Sequence, residues 1–244
     1  MSADRWTQAV RHQLGLGRLV PLGGPRDGCW LAESAARSAL RQAVQSVPGV
    51  RLGSLRIELA DPDGFYESAV PAPPSALPPG PLRIVAECAA APDEPLPTAA
   101  SRLRAALHGA ASDGLGLTVA EVDLRVTALL DDRAQVQPAA GDVEADVADG
   151  EQARSDTDEG RAGQAALSVP GVARLTGSLG GLGRAVHIGE RSEGAVTLPR
   201  RHVRIELAVS GGRRVLDVAR DVRTAVTGAL ADDPSVAVLV TAVR

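Results

Sequence analysis

A five-residue segment occurs twice in this chain and constrains the fold more than any other feature. Ser46–Val50 and Ser168–Val172 both read Ser-Val-Pro-Gly-Val. Three further pairs of segments correspond in the same order: Arg83-Ile84 with Arg204-Ile205, Leu103–Leu107 with Val222–Val226, and Val126–Leu129 with Val240–Val243. The four pairs lie 122, 121, 119 and 114 residues apart. This spacing predicts one small domain present in two copies.

Hydrophobic periodicity predicts the same order of elements in both copies: helix, strand, strand, helix, strand. In the first copy these elements are expected at Cys29–Gln45, Val50–Ala60, Leu82–Ala89, Thr98–Ala111 and Val119–Leu130. In the second copy they are expected at Gly160–Leu167, Val172–Leu175, Val203–Val209, Val215–Leu230 and Val236–Val243, with a short extra strand at Arg184–Ile188 after a glycine-rich turn at Gly177–Gly183. The last strand–helix–strand step should be a right-handed parallel crossover. We therefore predict an α+β fold in which each copy has a mixed sheet with helices on one face.

The chain divides into an N-terminal segment, the first copy, a linker and the second copy, at residues 1–28, 29–130, 131–159 and 160–244. The N-terminal segment is predicted to contain a helix at 3–14 and a short strand at Arg18–Leu22. A proline-rich insertion at 61–80 interrupts the first copy and is expected to be extended and exposed. The linker combines acids with Ala, Gly and Gln and has no apolar period, which is typical of a disordered segment.

Charge is distributed unevenly between these parts. Residues 1–130 carry 12 Arg and 13 acidic residues, residues 131–159 carry 2 and 10, and residues 160–244 carry 12 and 7. The net charges are −1, −8 and +5, which give the −4 of the whole chain. Two arrangements fit this pattern: the acidic linker is solvated, or it folds back and shields the arginine-rich second copy.

The candidate anion- or partner-binding residues are five arginines of the second copy: Arg200, Arg201, Arg204, Arg213 and Arg214. A guanidinium group pairs bidentately with phosphates and carboxylates. Nucleic-acid-binding modules with a similar order of elements use a G-x-x-G loop between two helices, and single-strand binders stack bases on aromatic residues. The second copy has no such loop and no aromatic residue. Nucleic acid is therefore the less favoured partner.

No catalytic or metal-binding constellation stands out. The histidines are scattered, without a Ser, Cys or acid in a recognisable catalytic order: His12, His108, His187 and His202. Cys29 and Cys88 each lie alone, which argues against a zinc site and against a disulfide framework. Glu58 and Glu206 fall in predicted strands and are expected on the solvated face. We expect no enzymatic activity, no cofactor and no metal.

Two further features bear on partners. Pro71–Pro79 either forms a passive loop or presents an extended ligand to an aromatic-lined groove of another protein. No run approaches the roughly 18 apolar residues that a membrane helix needs, and the N-terminus lacks a signal-peptide core. We therefore expect a cytoplasmic protein, with membrane association only through a partner.

The repeated segments resemble a known family. The pattern is a helix ending in V-P-G-V, a glycine-rich hairpin, an alternating strand and a V-A-x-x-V-R helix, and it is similar to the alkaline shock protein, or envelope stress response, family of bacteria. The second copy carries it in Val169–Val172, Gly194–Val196, Val203–Val209 and Val218–Arg223, and the first copy carries it in Gly28–Val50, Leu82–Ala89 and Leu103–Leu129. The N-terminal residues also resemble an uncharacterised streptomycete group whose members often carry a nucleopolyhedrovirus-type family label.

The resemblance covers most of residues 1–130 and 165–244, and it implies a non-enzymatic, envelope-associated protein. Together with the repeat, it leads us to expect a scaffold that binds other proteins in envelope or stress physiology. Two alternatives remain at this point: binding of nucleic acid or an anionic surface through the second copy, and a ligand sensor or enzyme. Self-association is also left open.

Overall fold

The computed structural model describes residues 16–130, 156–177, 184–191 and 200–244. Within these ranges the fold is α+β, with nine strands in two mixed sheets and four α-helices. The strands are β1 Leu19–Leu22, β2 Cys29–Ala32, β3 Val50–Leu59, β4 Leu82–Ala90, β5 Val119–Leu129, β6 Val172–Leu175, β7 Val186–Arg191, β8 Arg200–Val209 and β9 Ser235–Val243. The helices are α1 Glu33–Val44, α2 Leu96–Gly109, α3 Asp158–Leu167 and α4 Val215–Ala229, and a π-helical turn, Ala110–Leu115, follows α2.

The two sheets contain the same arrangement of strands. In the smaller sheet β3 is antiparallel to β4, and β5 lies parallel to β4 on its other side. In the larger sheet β6 and β7 are antiparallel to β8, and β9 lies parallel to β8 on its other side. We call residues 33–130 the first unit and residues 158–243 the second unit.

The repeated pentapeptide ends a helix in the same way in both units. Proline disfavours helix for the residue before it, and the following glycine permits a left-handed backbone. Gly49 has φ +70° and Gly171 has φ +99°. The Gly49 carbonyl accepts a hydrogen bond from the Ala91 amide at 2.8 Å, and the Gly171 carbonyl accepts one from the Ser210 amide at 2.9 Å. Each turn is thus tied to the end of the central strand of its unit.

An ion pair lies beside each turn, with its acid and its arginine in opposite order in the two units. In the first unit Glu94 pairs with Arg102, which also donates to the Pro48 carbonyl at 2.8 Å. In the second unit Arg213 pairs with Asp221 at 2.8 Å and also donates to the Pro170 carbonyl at 2.5 Å. The acid precedes the arginine by eight residues in one unit and follows it by eight in the other. Both arrangements brace the pentapeptide turn against the second helix of the unit.

The helix predicted at Cys29–Gln45 begins four residues later than expected. Cys29–Ala32 is the strand β2, and α1 starts at Glu33. All four residues of β2 are buried, and the strand lies parallel to β9, with Trp30 opposite Leu239. A short apolar run that is covered on both sides has no helical or alternating period, so pairing with β9 decides its conformation.

The two units share one hydrophobic core. The helix α1 contacts β3 of the smaller sheet and also β2 and β9 of the larger sheet. The turn before β2 is fixed to α4 by an ion pair between Asp27 and Arg220, with Oδ1 and Nε 2.7 Å apart. In addition, Nε of Arg214 donates to the Ser112 carbonyl at 3.1 Å. The residues 19–32 and the first unit are therefore packed directly on the second unit.

The proline-rich insertion is only partly the exposed loop that was expected. Val70 is fully buried, and the backbone around Ser75 and Leu77 makes two hydrogen bonds with Leu19 of β1, at 3.1 and 2.8 Å. Phe65, in contrast, is 90% exposed. Leu19, Ser75 and Leu77 thus attach one end of the insertion to the edge of the larger sheet.

Several predictions fall outside the described residues. These are the helix at 3–14, the turn over residues 178–183, the motif at 194–196 and the disorder of residues 131–155. Residues 158 and 159, assigned to the linker from sequence, form the first turn of α3. Among the described helices, none has the length and apolar character that crossing a membrane requires.

Candidate functional site

A cavity of about 340 Å³ lies between the proline-rich insertion and the larger sheet. Pro71–Pro74 forms one wall. The other wall comes from β7, β8 and β9 and includes two histidines and an arginine. Its lining residues are His187, Ile188, Gly189, His202, Arg204 and Ala237. A volume of this size is at the lower end of the range for small-molecule pockets.

Strand register brings the three polar side chains together. His187 on β7 lies directly opposite Arg204 on β8, and Arg204 lies opposite Ala237 on β9. His202 is two residues before Arg204, so both project from the same face of β8. Gly189 lies opposite His202, and a Cβ atom added there would meet nothing within 4 Å. The missing side chain leaves the floor of the cavity open beside His202.

Hydrogen bonds orient both imidazoles. Nε2 of His187 lies 3.1 Å from the Arg184 carbonyl, and because a carbonyl only accepts, Nε2 carries the proton. Burial lowers the pKa of His187, and the positive charge of Arg204 lowers it further. Nδ1 of His202 lies 2.9 Å from the Ser235 hydroxyl. The pair therefore offers a neutral imidazole at His187 and a second ring whose position is fixed by a serine.

The arginine of the cavity is positioned beside a buried carboxylate. The Glu206 side chain is fully buried, and its Oε1 lies 3.9 Å from Nε of Arg204, whose side chain is 22% exposed. Nε of Arg204 is itself buried and has no hydrogen-bond partner among the described residues. The expectation that Glu206 lies on a solvated face is wrong, because β8 is covered on both faces where Glu206 pairs with Leu239.

The five arginines singled out from the sequence do not share one surface. Arg200 and Arg201 begin β8, while Arg213 and Arg214 follow its other end, about 30 Å away at the usual rise per residue. Arg204 lies between them and is the member of the set that lines the cavity.

Three of the other four arginines also lie within ion-pairing distance of carboxylates. Arg201 binds Asp158 and also Asp232 at 3.0 Å, and these hydrogen bonds raise the pKa of Arg201. Arg213 is paired with Asp221, as described above. Arg214 lies 3.8 Å from Asp217. Their charges are therefore partly compensated within the protein.

The histidines of the site were visible in the sequence but not recognisable as a group. His187 and His202 are fifteen residues apart, and only the pairing of β7 with β8 makes them neighbours. The alternation of His202, Arg204 and Glu206 on one strand was a usable signal. His108 lies elsewhere, in the last turn of α2.

The cysteines take no part in the cavity. Cys29 and Cys88 are both buried and free, and they lie in different sheets. Burial, together with the charge of Asp27, raises the pKa of Cys29 to about 12, so its thiol stays protonated. Among the described residues no group of His, Cys, Asp and Glu is placed to hold a metal ion.

Comparison with known proteins gives no further guide to this site. No protein-family model, curated protein or solved structure showed significant similarity to the chain. The assignment of a function consequently rests on the chemistry of the cavity and on the arrangement of the two units.

Proposed function

We propose that this protein is a non-enzymatic binding protein whose cavity receives a carboxylate-bearing segment of a partner protein. One observation carries the proposal: Arg204, His187 and His202 converge on one side of a cavity whose other side is Pro71–Pro74. The Arg204 guanidinium supplies a fixed positive charge and hydrogen-bond donors, and both imidazoles line the same wall. A role in envelope or stress physiology is the setting that the sequence resemblance implies.

The shape and charge of the site favour a peptide over a polyanion. A cavity of about 340 Å³ accommodates one acidic side chain or a chain terminus with its neighbours. Nucleic acids need a continuous track of cations along several phosphates. The arginines at the two ends of β8 are far apart and largely paired with carboxylates. These features support the cavity as the binding site and weigh against the nucleic-acid alternative.

We also infer that the two units arose by duplication of one domain. The support is the equal strand order, the two pentapeptide turns with equivalent hydrogen bonds from Ala91 and Ser210, and the ion pair beside each turn. A binding role fits this history, because a second copy is free to change its surface while the first retains the fold. In this chain the cavity is built mainly on the second unit.

The experiment that tests this function is a titration with acidic peptides. The probe is a fluorescent peptide of alternating Asp and Ala, and the reference is the same peptide with Asn in place of Asp. We expect the acidic peptide to bind and the Arg204→Gln variant to weaken it at least about tenfold, because hydrogen bonds to charged groups contribute about 1.5–3 kcal/mol. Arg56→Gln, which changes an exposed arginine on β3, is the matched control.

Two results would reject the proposal. Equal affinity of the Asp and Asn peptides would show that carboxylates are not recognised. Tight binding of a single-stranded oligonucleotide, falling steeply as salt rises and unaffected by Arg204→Gln, would favour the nucleic-acid alternative instead.

A further inference from the structure

The outer edge of β5 is open, whereas the corresponding edge in the second unit is covered. In the second unit β2 pairs with β9, and the Val238 amide donates to the Gly28 carbonyl at 3.0 Å. In the first unit β5 is the last strand of its sheet, and no strand in the described part of the chain pairs with its outer side. An unpaired edge of eleven residues presents a row of backbone donors and acceptors to another chain.

The free backbone groups of this edge belong to alternate residues. The Val122 carbonyl accepts a hydrogen bond from Nε of the exposed residue Arg104 at 3.1 Å, so it points away from β4. By the alternation of a strand, the amides and carbonyls of Leu124 and Val126 point the same way. Each unit has a bulge in its last strand, at Thr127 and at Thr241, directly after Val126 and Val240. Counting back two residues from these valines, Leu124 corresponds to Val238.

The side chains at this edge are more apolar than a solvated edge strand requires. Val126 is 37% exposed and Leu129 is 58% exposed, and Val122 is the one buried residue of β5. Soluble proteins usually place lysine, proline or a bulge on such an edge to prevent association. β5 does have bulges, at Ala120 and at Thr127, but the regular stretch between them carries its charges on one face only, at Glu121, Asp123 and Arg125.

We propose that β5 pairs antiparallel with β5 of a second copy of this chain, about a two-fold axis at Leu124. In that register Asp123 lies opposite Arg125 of the partner subunit, and the reverse pair forms by symmetry. Val122 lies opposite Val126 of the partner subunit. The two smaller sheets would then form one continuous six-stranded sheet.

The charges select this register over its neighbours. A shift of the axis to residue 123 places Asp123 opposite its own copy, and a shift to residue 125 places Arg125 opposite its own copy. Like charges directly opposite each other destabilise a sheet, and opposite charges stabilise it. Pairing does require Arg104 to release the Val122 carbonyl, which a backbone donor of the partner subunit replaces.

Sedimentation equilibrium of the full chain across the micromolar range tests the proposal. We expect a reversible dimer. Val126→Lys should raise its dissociation constant at least about tenfold, because a lysine enters each of the two apolar cross-strand pairs. Leu96→Lys is the matched control, since Leu96 is similarly exposed, at 39%, but lies on α2 and not on β5. This control should leave the dissociation constant unchanged.

A charge exchange distinguishes the proposed register from non-specific association. Arg125→Asp should weaken the dimer, because at both symmetric positions a carboxylate at residue 125 then lies opposite Asp123 of the other copy. The double variant Asp123→Arg/Arg125→Asp should restore it. A wild-type chain that stays monomeric throughout, a dimer insensitive to Val126→Lys, or a double variant no tighter than Arg125→Asp would each overturn the proposal. Circular dichroism of every variant confirms that the fold is retained.

Discussion

The last strands of the two units, β5 and β9, occupy the same place in their sheets but have opposite surroundings. Residues 236–241 of β9 are all buried, and β2 covers the outer edge of the strand. In β5 only Val122 is buried, and no strand in the described part of the chain pairs with its outer edge. Residues 19–32 therefore cover the outer edge of the last strand in the second unit, whereas the corresponding edge in the first unit is open.

The residues of the two strands account for this difference. Residues 236–240 of β9 are all apolar, which is typical of a strand covered on both faces. In β5, apolar residues alternate with Glu121, Asp123 and Arg125, which is typical of a strand with one solvated face. The comparison teaches that the last strand of the second unit is covered on both faces and at its outer edge, whereas the last strand of the first unit has a free edge.

The largest loss of stability is expected at the outer edge of β9, which β2 covers. Trp30 of β2 is 1% exposed and lies opposite Leu239. Trp30→Ala should lower the free energy of unfolding by about 3–5 kcal/mol, because it leaves a large cavity against β9. Val126→Ala, on the open edge, should lower it by less than about 1 kcal/mol. Urea denaturation measures both, and equal losses would remove the contrast between the two edges.

A smaller loss of stability is expected where the first unit contacts α4. Gly116 has φ +87°, and a methyl group there would overlap the Cβ atom of Leu216. Gly116→Ala should therefore lower the free energy of unfolding by about 2–4 kcal/mol, through backbone strain and overpacking. In Gly114→Ala, the control, the new Cβ meets nothing within 4 Å. Similar thermal unfolding of the two variants would argue that the units are not packed as described.

A pH-dependent effect is expected at the turn that holds β2 on α4. Burial alone would raise the pKa of Asp27, but hydrogen bonds from Arg220 and the Gly24 amide, with the charges of Arg220 and Arg223, outweigh it and lower the pKa. A lowered carboxyl pKa stabilises the fold above the pKa of the unfolded chain, and this stabilisation is lost as the pH falls through the folded value.

Asp27→Asn should accordingly lower the free energy of unfolding by about 1–2 kcal/mol at pH 7, and the difference from the wild type should narrow below about pH 4. Urea denaturation at pH 7 and pH 3 measures it. A difference that is equal at both pH values would mean that the charge of Asp27 does not hold the turn on Arg220.

Much of the fold follows from the sequence. The order of elements in each unit agrees with the apolar periods, and the pentapeptide marks the ends of α1 and α3. The sequence match of Arg83-Ile84 with Arg204-Ile205, at an offset of 121 residues, differs by two residues from the structural correspondence of β4 and β8. Val50 pairs with Ala90 and Val172 pairs with Val209, so the central strands correspond at an offset of 119.

The candidate site was harder to predict because it depends on contacts between distant segments. Arg204 was among the five arginines selected from the sequence, but these five arginines do not lie on one surface. His187 joins it only through strand pairing, and Pro71–Pro74 only through the packing of the insertion on β1. Strand β2 was missed since four apolar residues carry no period that reveals a parallel neighbour.

The contrast between the two edges is tested most directly by amide hydrogen exchange at two equivalent positions, Val238 and Leu124. The Val238 amide donates to the Gly28 carbonyl inside the larger sheet. By strand alternation from Val122, whose carbonyl points outward, the Leu124 amide is directed to the open edge. At low protein concentration we expect the Leu124 amide to exchange at least about a hundredfold faster than that of Val238, because only the latter needs the sheet to open. Equal protection of the two amides in the monomer would contradict the account.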